Sequence, residues 1–317
     1  MPRSGAGARH AHRQWRNHGS PHRAVNAALT FAARGMVPTD PALARALGPE
    51  AQGRAEIAWA EGGKVQLSGL DLAAAGAQLR AEATLAPADP GLPLEVNGTL
   101  QVADLQRFSD MAKRPLGGAL ATQGQARLGL LDRTISLGLT AQGQEVELGE
   151  GVLDALLAGQ SQLSLTAARD ATGSRIEQFS ARTESFSAEG NAALSPQAGQ
   201  LALSARLAAP ADLPGRLAAG PDSGPAVEAA RALVALGGAI TLETRADWKE
   251  GAPLEISALR LEGPGLALNG AGTVEPGAKL PALAGTLSLE LERLERFATL
   301  AGRPALAGAL SAKASAK

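Results

Sequence analysis

The side chains with chemistry to offer are few, and most of them stand together. All four histidines, His10, His12, His18 and His22, fall in the first 26 residues, beside Arg3, Arg9, Arg13, Arg16 and Arg23 and ahead of any acidic residue. Their spacing could present imidazoles to a metal, yet nothing nearby would orient such ligands and no apolar periodicity orders the segment. A disordered basic tail is therefore expected over residues 1–26. With histidine confined there, the rest of the chain has no imidazole base for a Ser–His triad. The chain has no cysteine, which removes disulfides, thiol catalysis and Cys-ligated zinc together. No phosphate loop ending in Lys-Ser or Lys-Thr is present, no G-x-G-x-x-G stands between strand and helix, and no G-x-S-x-G elbow occurs. Acidic residues are scattered singly, so a carboxylate pair brought together by the fold is the one enzymatic arrangement left open. Arg114 and Arg303, each followed by proline, could meet a phosphate or an anionic head group; bonding the carbonyls that end a preceding short helix is the simpler role. The formal net charge is −1, and no basic stripe alternates with aromatics, which speaks against nucleic acid as a partner. The sequence predicts no catalytic residue, no metal and no cofactor.

The elements that remain are strands. Aromatic residues make up 3% of the chain, and its apolar content is mostly Ala and Leu interleaved with 38 Gly. Such residues build thin, repeated layers more easily than a thick interdigitated core, because bulky rings supply much of a compact core's buried area; a GC-rich coding bias would enrich the same residues. From about residue 50 the apolar positions alternate with period two. Val65 and Leu67, then Leu70 and Leu72, follow this pattern with a phase shift at Gly69. So do Ile135, Leu137 and Leu139, and the pairs Leu163–Leu165, Leu201–Leu203, Leu266–Leu268 and Leu287–Leu289. The opposite positions carry Ser, Thr, Gln, Glu, Arg or Ala, as in an antiparallel sheet with one side covered. Glu61-Gly62-Gly63, Asp170-Ala171-Thr172-Gly173, Pro196-Gln197-Ala198-Gly199 and Glu275-Pro276-Gly277 supply the turns. Asp40-Pro41 opens a short helix that Gly48 stops, and 225–236 is a second helical candidate.

An internal repeat organises the chain. Leu105, Arg107, Phe108, Arg114 and Pro115 return as Leu294, Arg296, Phe297, Arg303 and Pro304, at an offset of 189 residues. Each block reads as a short amphipathic helix followed by Arg-Pro and a Gly-rich entry into the next strand. Upstream of each block, residues 53–72 parallel 238–261. The expected division is a tail over 1–26, a first β-repeat unit over 27–128, a linking meander over 129–215 and a second repeat unit over 216–317. No stretch reaches the roughly 18–20 apolar residues of a membrane span, and no apolar segment follows the basic N-terminus. The last residues, LSAKASAK, read as strand, and an internal fragment of a longer protein is expected.

The repeated Leu-x-Arg-Phe and Arg-Pro block, set among Leu/Ser/Thr/Gly strands, resembles the central part of TamB-type translocation and assembly module proteins of proteobacteria. More broadly it resembles the AsmA-like superfamily, over about residues 30–317. The resemblance implies a long periplasmic body with an inner-membrane anchor, built as a twisted, incompletely closed β-sheet with an apolar groove. It also implies a part in outer-membrane biogenesis and phospholipid transport, phospholipid acyl chains as cargo, and an Omp85-type outer-membrane barrel as partner of the full-length protein. The anchor and the barrel-contacting domain of that family have no counterpart in this sequence.

The expected architecture is mainly β: an elongated, twisted antiparallel repeat sheet forming an open apolar groove, with a few short helices. A sheet whose Leu-rich face is under-packed could hold acyl chains at roughly 25 cal/mol per Å² removed from water. Strand parity makes Leu128, Leu130, Leu137, Leu139, Leu163, Leu165, Leu201, Leu203, Leu287 and Leu289 the candidates for the groove lining. Packing of the same leucines into a closed core is the alternative. At the level of function, the alternative is a structural or adhesive secreted β-repeat protein.

Overall fold

The computed structural model describes residues 24–208, 237–275, 282–294 and 308–316. Of these, 67% lie in strands and 9% in helices, so the period-two pattern is realised as a mainly β protein. The chain divides into two units, 1–149 and 150–317. The first holds β1 (Ala24–Arg34), β2 (Glu50–Ala60), β3 (Val65–Ala74), β4 (Ala77–Leu85), β5 (Pro93–Val102), β6 (Gly117–Gly129) and β7 (Thr134–Glu147). The second holds β8 (Gln160–Asp170), β9 (Gly173–Arg182), β10 (Phe186–Leu194), β11 (Ala198–Leu207), β12 (Ile240–Lys249), β13 (Leu254–Gly263), β14 (Leu266–Glu275), β15 (Ala282–Leu291) and β16 (Leu310–Ala316). Within each unit every strand pairs antiparallel with its sequence neighbour, and neither meander closes on itself. The division falls after β7 and not at 128/129, because β6 and β7 are one hairpin paired from Gly117↔Glu147 to Gly129↔Thr134. The first strand starts at Ala24, so the last three residues assigned to a tail belong to the sheet. The four histidines lie outside the described residues.

Short helices sit at one set of strand ends. Helix α1 (Pro41–Leu47) forms where expected: the Asp40 carboxylate accepts the Ala42 N–H at 2.8 Å, and Gly48, at φ 68°, closes the last turn. A side-chain cap with proline in the first turn satisfies N–H groups that the helix cannot. The Leu105 block is a 3₁₀ turn (Leu105–Phe108) running into α2 (Ser109–Ala112). There the main-chain N–H of Arg114 donates to the Ser109 carbonyl at 3.2 Å, the task the sequence suggested for its side chain. Arg45 of α1 pairs with Asp110 of α2 at 2.5 Å. Helix α3 (Gly151–Leu157) has no counterpart among the predicted elements; its Ala155 is buried against Val152, Leu156 and Leu207. The repeat of the Leu105 block begins at Leu294 and otherwise lies outside the described residues, as does the candidate helix over 225–236.

The repeat is deeper than two copies. Strands β3 and β5 return as β13 and β15 with identical lengths at the offset of 189, and Trp59 returns as Trp248. The middle meander is a third copy: α1 and β2 recur as α3 and β8 at an offset of 110, and β4 recurs as β10 at 109. All three copies carry an extra residue at the same place in their second strand. The register shifts between Leu67 and Leu70 in β3, beside Glu177–Gln178 in β9, and between Ile256 and Leu259 in β13. In β3 the extra residue is Gly69 at φ 61°, a conformation glycine adopts without steric cost.

Candidate functional site: an uncovered apolar face

Directly opposite residues in an antiparallel pair point to the same side of the sheet, so the registers assign every side chain to a face. In the first unit one face takes the odd positions of β1 and β2, then Val65, Leu67, Leu70, Leu72 and Ala74 across the bulge. It continues over the odd positions of β4, the even positions of β5 and β6, and the odd positions of β7 as far as Gly143. One transverse row runs Val25–Trp59–Val65–Leu85–Leu94–Leu128–Ile135 across all seven strands, each residue opposite the next. In the five rows from β1 to β7, the Thr122 hydroxyl and the Trp59 indole N–H are the polar side-chain groups. The bulge is what keeps the face pure: without the extra residue at Gly69, Leu70 and Leu72 would cross to the other side.

The second unit repeats the construction. One row runs Leu165–Phe179–Gly190–Leu203–Thr244–Leu259–Gly270–Leu287–Ala314, and its neighbour runs Leu163–Ala181–Ala188–Ala205–Leu242–Leu261–Leu268–Leu289–Ala312. A third row contains Ile176, Ala192, Leu201, Ala246 and Ile256. Thr244 is the one polar side chain in these three rows. The extra residues in β9 and β13 keep Ile176 on the face with Phe179, and Ile256 with Leu259. Neither site carries the glycine that marks the shift in β3.

Nine of the ten leucines predicted to line a groove lie on these faces. Leu128, Leu137 and Leu139 share the first unit's apolar face, and Leu163, Leu165, Leu201, Leu203, Leu287 and Leu289 share the second unit's. Leu130 does not join them, because β6 ends at Gly129; it is an exposed turn residue whose N–H donates to the Leu92 carbonyl. None of the nine is fully buried. Leu201 and Leu287 are each 44% exposed, and the other seven are half-buried. Side chains about 4.8 Å apart on neighbouring strands shield one another's flanks, but only a second layer can cover their tips. The buried hydrophobic residues among those described are Ala46, Ala86, Val102, Val146, Ala155, Ala188, Ile240 and Leu291. Most of these sit in the helices or at the strand ends beside them, away from mid-strand.

The opposite faces carry mostly polar side chains, with alanines among them. Thr30–Arg54–Asp71–Arg80–Thr99–Gln123–Thr140 forms one unbroken row in the first unit. In it, Asp71 meets Arg80 at 3.5 Å and accepts from the Gln78 amide at 3.2 Å. The second unit has the row Ser164–Ser180–Glu189–Ser204–Glu243–Arg260–Asn269–Ser288–Lys313. A hollow of about 730 Å³ lies along it, with Glu189, Ser204, Glu243, Arg260 and Asn269 in its wall. Glu262 holds the Arg260 guanidinium above its ordinary pKa, with Glu243 adding a smaller share. Glu189 and Glu243 stand two strands apart, roughly 10 Å between backbones, near the spacing of a glycosidase pair. Both are exposed, whereas a general acid of that kind needs desolvation to retain its proton. Where the strands turn, Asp170 accepts from the hydroxyl and N–H of Thr172 and pairs with Arg175 at 2.8 Å. Those bonds, the Thr172 hydroxyl first, hold its carboxyl well below the usual range. Asp132 and Thr134 build the same turn in the first unit.

No group of three or more acidic or histidine side chains that could hold a metal occurs among the described residues. No described helix is long and apolar enough to cross a membrane. No family model, no curated protein and no solved structure matches the chain.

Proposed function

We propose that this chain is a non-enzymatic segment of an envelope protein of the TamB/AsmA-like kind, whose apolar β-face carries phospholipid acyl chains or assembling outer-membrane proteins. The observation that carries the reading is the apolar face itself: rows of Leu, Val, Ala and Gly run strand after strand with their tips uncovered. Each methylene laid on such a face is worth about 0.8 kcal/mol, so an acyl chain binds by area and needs no specific partner. Small Ala and Gly residues between the leucines leave troughs, and movement along them requires no catalytic group. The setting that goes with this reading is the periplasm, as part of a protein tethered to the inner membrane and working with an Omp85-type barrel. The rival reading, a structural or adhesive repeat, needs its apolar side chains packed into a closed interior; the half-exposed leucines favour the open face. The test is lipid content. The chain purified from a bacterial host, examined by native mass spectrometry, is expected to carry phospholipid that a fluorescent fatty acid displaces. A lipid-free chain that binds no fatty acid would leave the structural repeat standing.

A further inference from the structure

Both tryptophans among the described residues occupy the same place on their unit's apolar face. Trp59 is the second-last residue of β2, and Trp248 the second-last of β12. In the first unit Trp59 stands between Val25 and Val65 in the outermost apolar row before the turns. In the second unit Trp248 faces Gly199, which faces Leu194, and Leu254 faces Val274 on the next two strands. Both indoles are half-buried. Just beyond them the chain is charged, with Glu61 and Lys64 after Trp59 and with Lys249 and Glu250 after Trp248. The other strand ends carry the helices, and there the apolar face is sealed. Val102, Ile240 and Leu291 are buried, and Ala155 of α3 packs on Leu207, the strand partner of Ile240. Each face is thus half-exposed along its middle, closed at the helix end and wet at the tryptophan end.

An indole has an apolar body and one N–H donor, so it settles where apolar surface meets water. At bilayer surfaces tryptophans form belts at the depth of the lipid head groups for that reason. A head group pushed to the sealed end would lose its water without gaining a partner, whereas beside the charged turns it stays hydrated. The length between the two ends is sufficient. Trp59 to Ala51, and Trp248 to Ile240, each span eight residues, roughly 26 Å at about 3.3 Å per residue. One leaflet's half of a hydrocarbon core about 30 Å thick is about 15 Å, so a single acyl chain fits. We infer that each tryptophan row is the head-group subsite of its face. An acyl chain lies along the strands with its polar end beside Trp59 or Trp248 and its methyl end toward the helices. The inference rests on the proposed acyl-chain function and adds a direction to it.

Tryptophan fluorescence reads the direction. The chain has three tryptophans, so Trp15→Phe leaves Trp59 and Trp248 as the emitters, and bromine quenches an indole only at close contact. The probes are palmitic acid brominated either beside its carboxylate or on its terminal carbon; the chain has no cysteine for either bromide to alkylate. The carboxylate-end bromide should quench several-fold more strongly than the methyl-end bromide. Adding Trp59→Phe or Trp248→Phe should leave the remaining indole with the same order. Moving the indole six residues along β12, as Leu242→Trp in a chain whose own tryptophans are all Phe, should reverse it. Equal quenching by the two bromides at Trp59 and Trp248, stronger quenching by the methyl-end one, or an unreversed order at Leu242→Trp overturns the direction. If the same bromides still displace a fluorescent fatty acid, the acyl-chain function survives that result. Bromides that neither quench nor displace the fluorescent probe overturn the function and the direction together.

Discussion

Replacing Leu201 by Asp puts a charge on the apolar face at a point where the account says water can reach it. Leu201 lies in β11 opposite Ala192 and Ala246, small neighbours on both sides, and is 44% exposed. A leucine moved fully out of water contributes about 1.5–3 kcal/mol, so the burial lost here is roughly half of that. Asp is also a poor strand residue, on a scale that spans about 1 kcal/mol. The expected cost is therefore about 2 kcal/mol. In a closed core the same change would strand a charge without a partner and cost several kcal/mol more, enough to unfold the domain. Urea unfolding followed by circular dichroism measures the difference, with Leu201→Ala as the size control. The Asp variant should retain the wild-type spectrum and unfold at a modestly lower urea concentration, while its uptake of fluorescent fatty acid falls. A variant already unfolded without urea would refute the open face, and so would one that binds the fatty acid as well as wild type.

Two further outcomes follow from local geometry. A β-carbon at Gly53 would stand 2.5 Å from Leu72 Cδ2 and 2.6 Å from Phe31 Cε1. Gly53→Val should thus cost about 1–3 kcal/mol by overpacking, seen as a lower urea midpoint that Phe31→Ala partly restores; no recovery would mean the clash lies elsewhere. The second outcome concerns Asp170, whose folded-state pKa is depressed. Its contribution is present above the unfolded value of about 4 and is lost as pH falls through the folded value. The gap in urea midpoint between wild type and Asp170→Asn should accordingly shrink below about pH 4, and a gap constant with pH would contradict this.

Leucine alternation made the strands legible, and it also placed nine of the ten leucines on shared faces. Parity alone could not say where β6 stops: Leu130 keeps the phase of Leu128, but the chain has already turned at Gly129. Strand β1 was hidden because alanine occupies both of its faces, which flattens the alternation. The third repeat copy was hidden for another reason. Its turns differ in length, so its offset drifts from 110 at β8 to 105 at β11 and no single shift aligns it. What the copies share is a strand–bulge–strand layout that needs only apolar or polar character at each place, and many sequences satisfy it. Gly69 announced one bulge, while the equivalent sites in β9 and β13 use ordinary residues and left no mark.

The most direct measurement of the central claim is photo-cross-linking in cells, with a photoreactive amino acid placed at single positions on the two faces. Leu165 and Leu203 lie in one apolar row, and Ser204, next to Leu203 in sequence, points to the polar side. The account predicts phospholipid adducts from Leu165 and Leu203 and none from Ser204. Adducts of equal yield from all three positions, or from none, would contradict it.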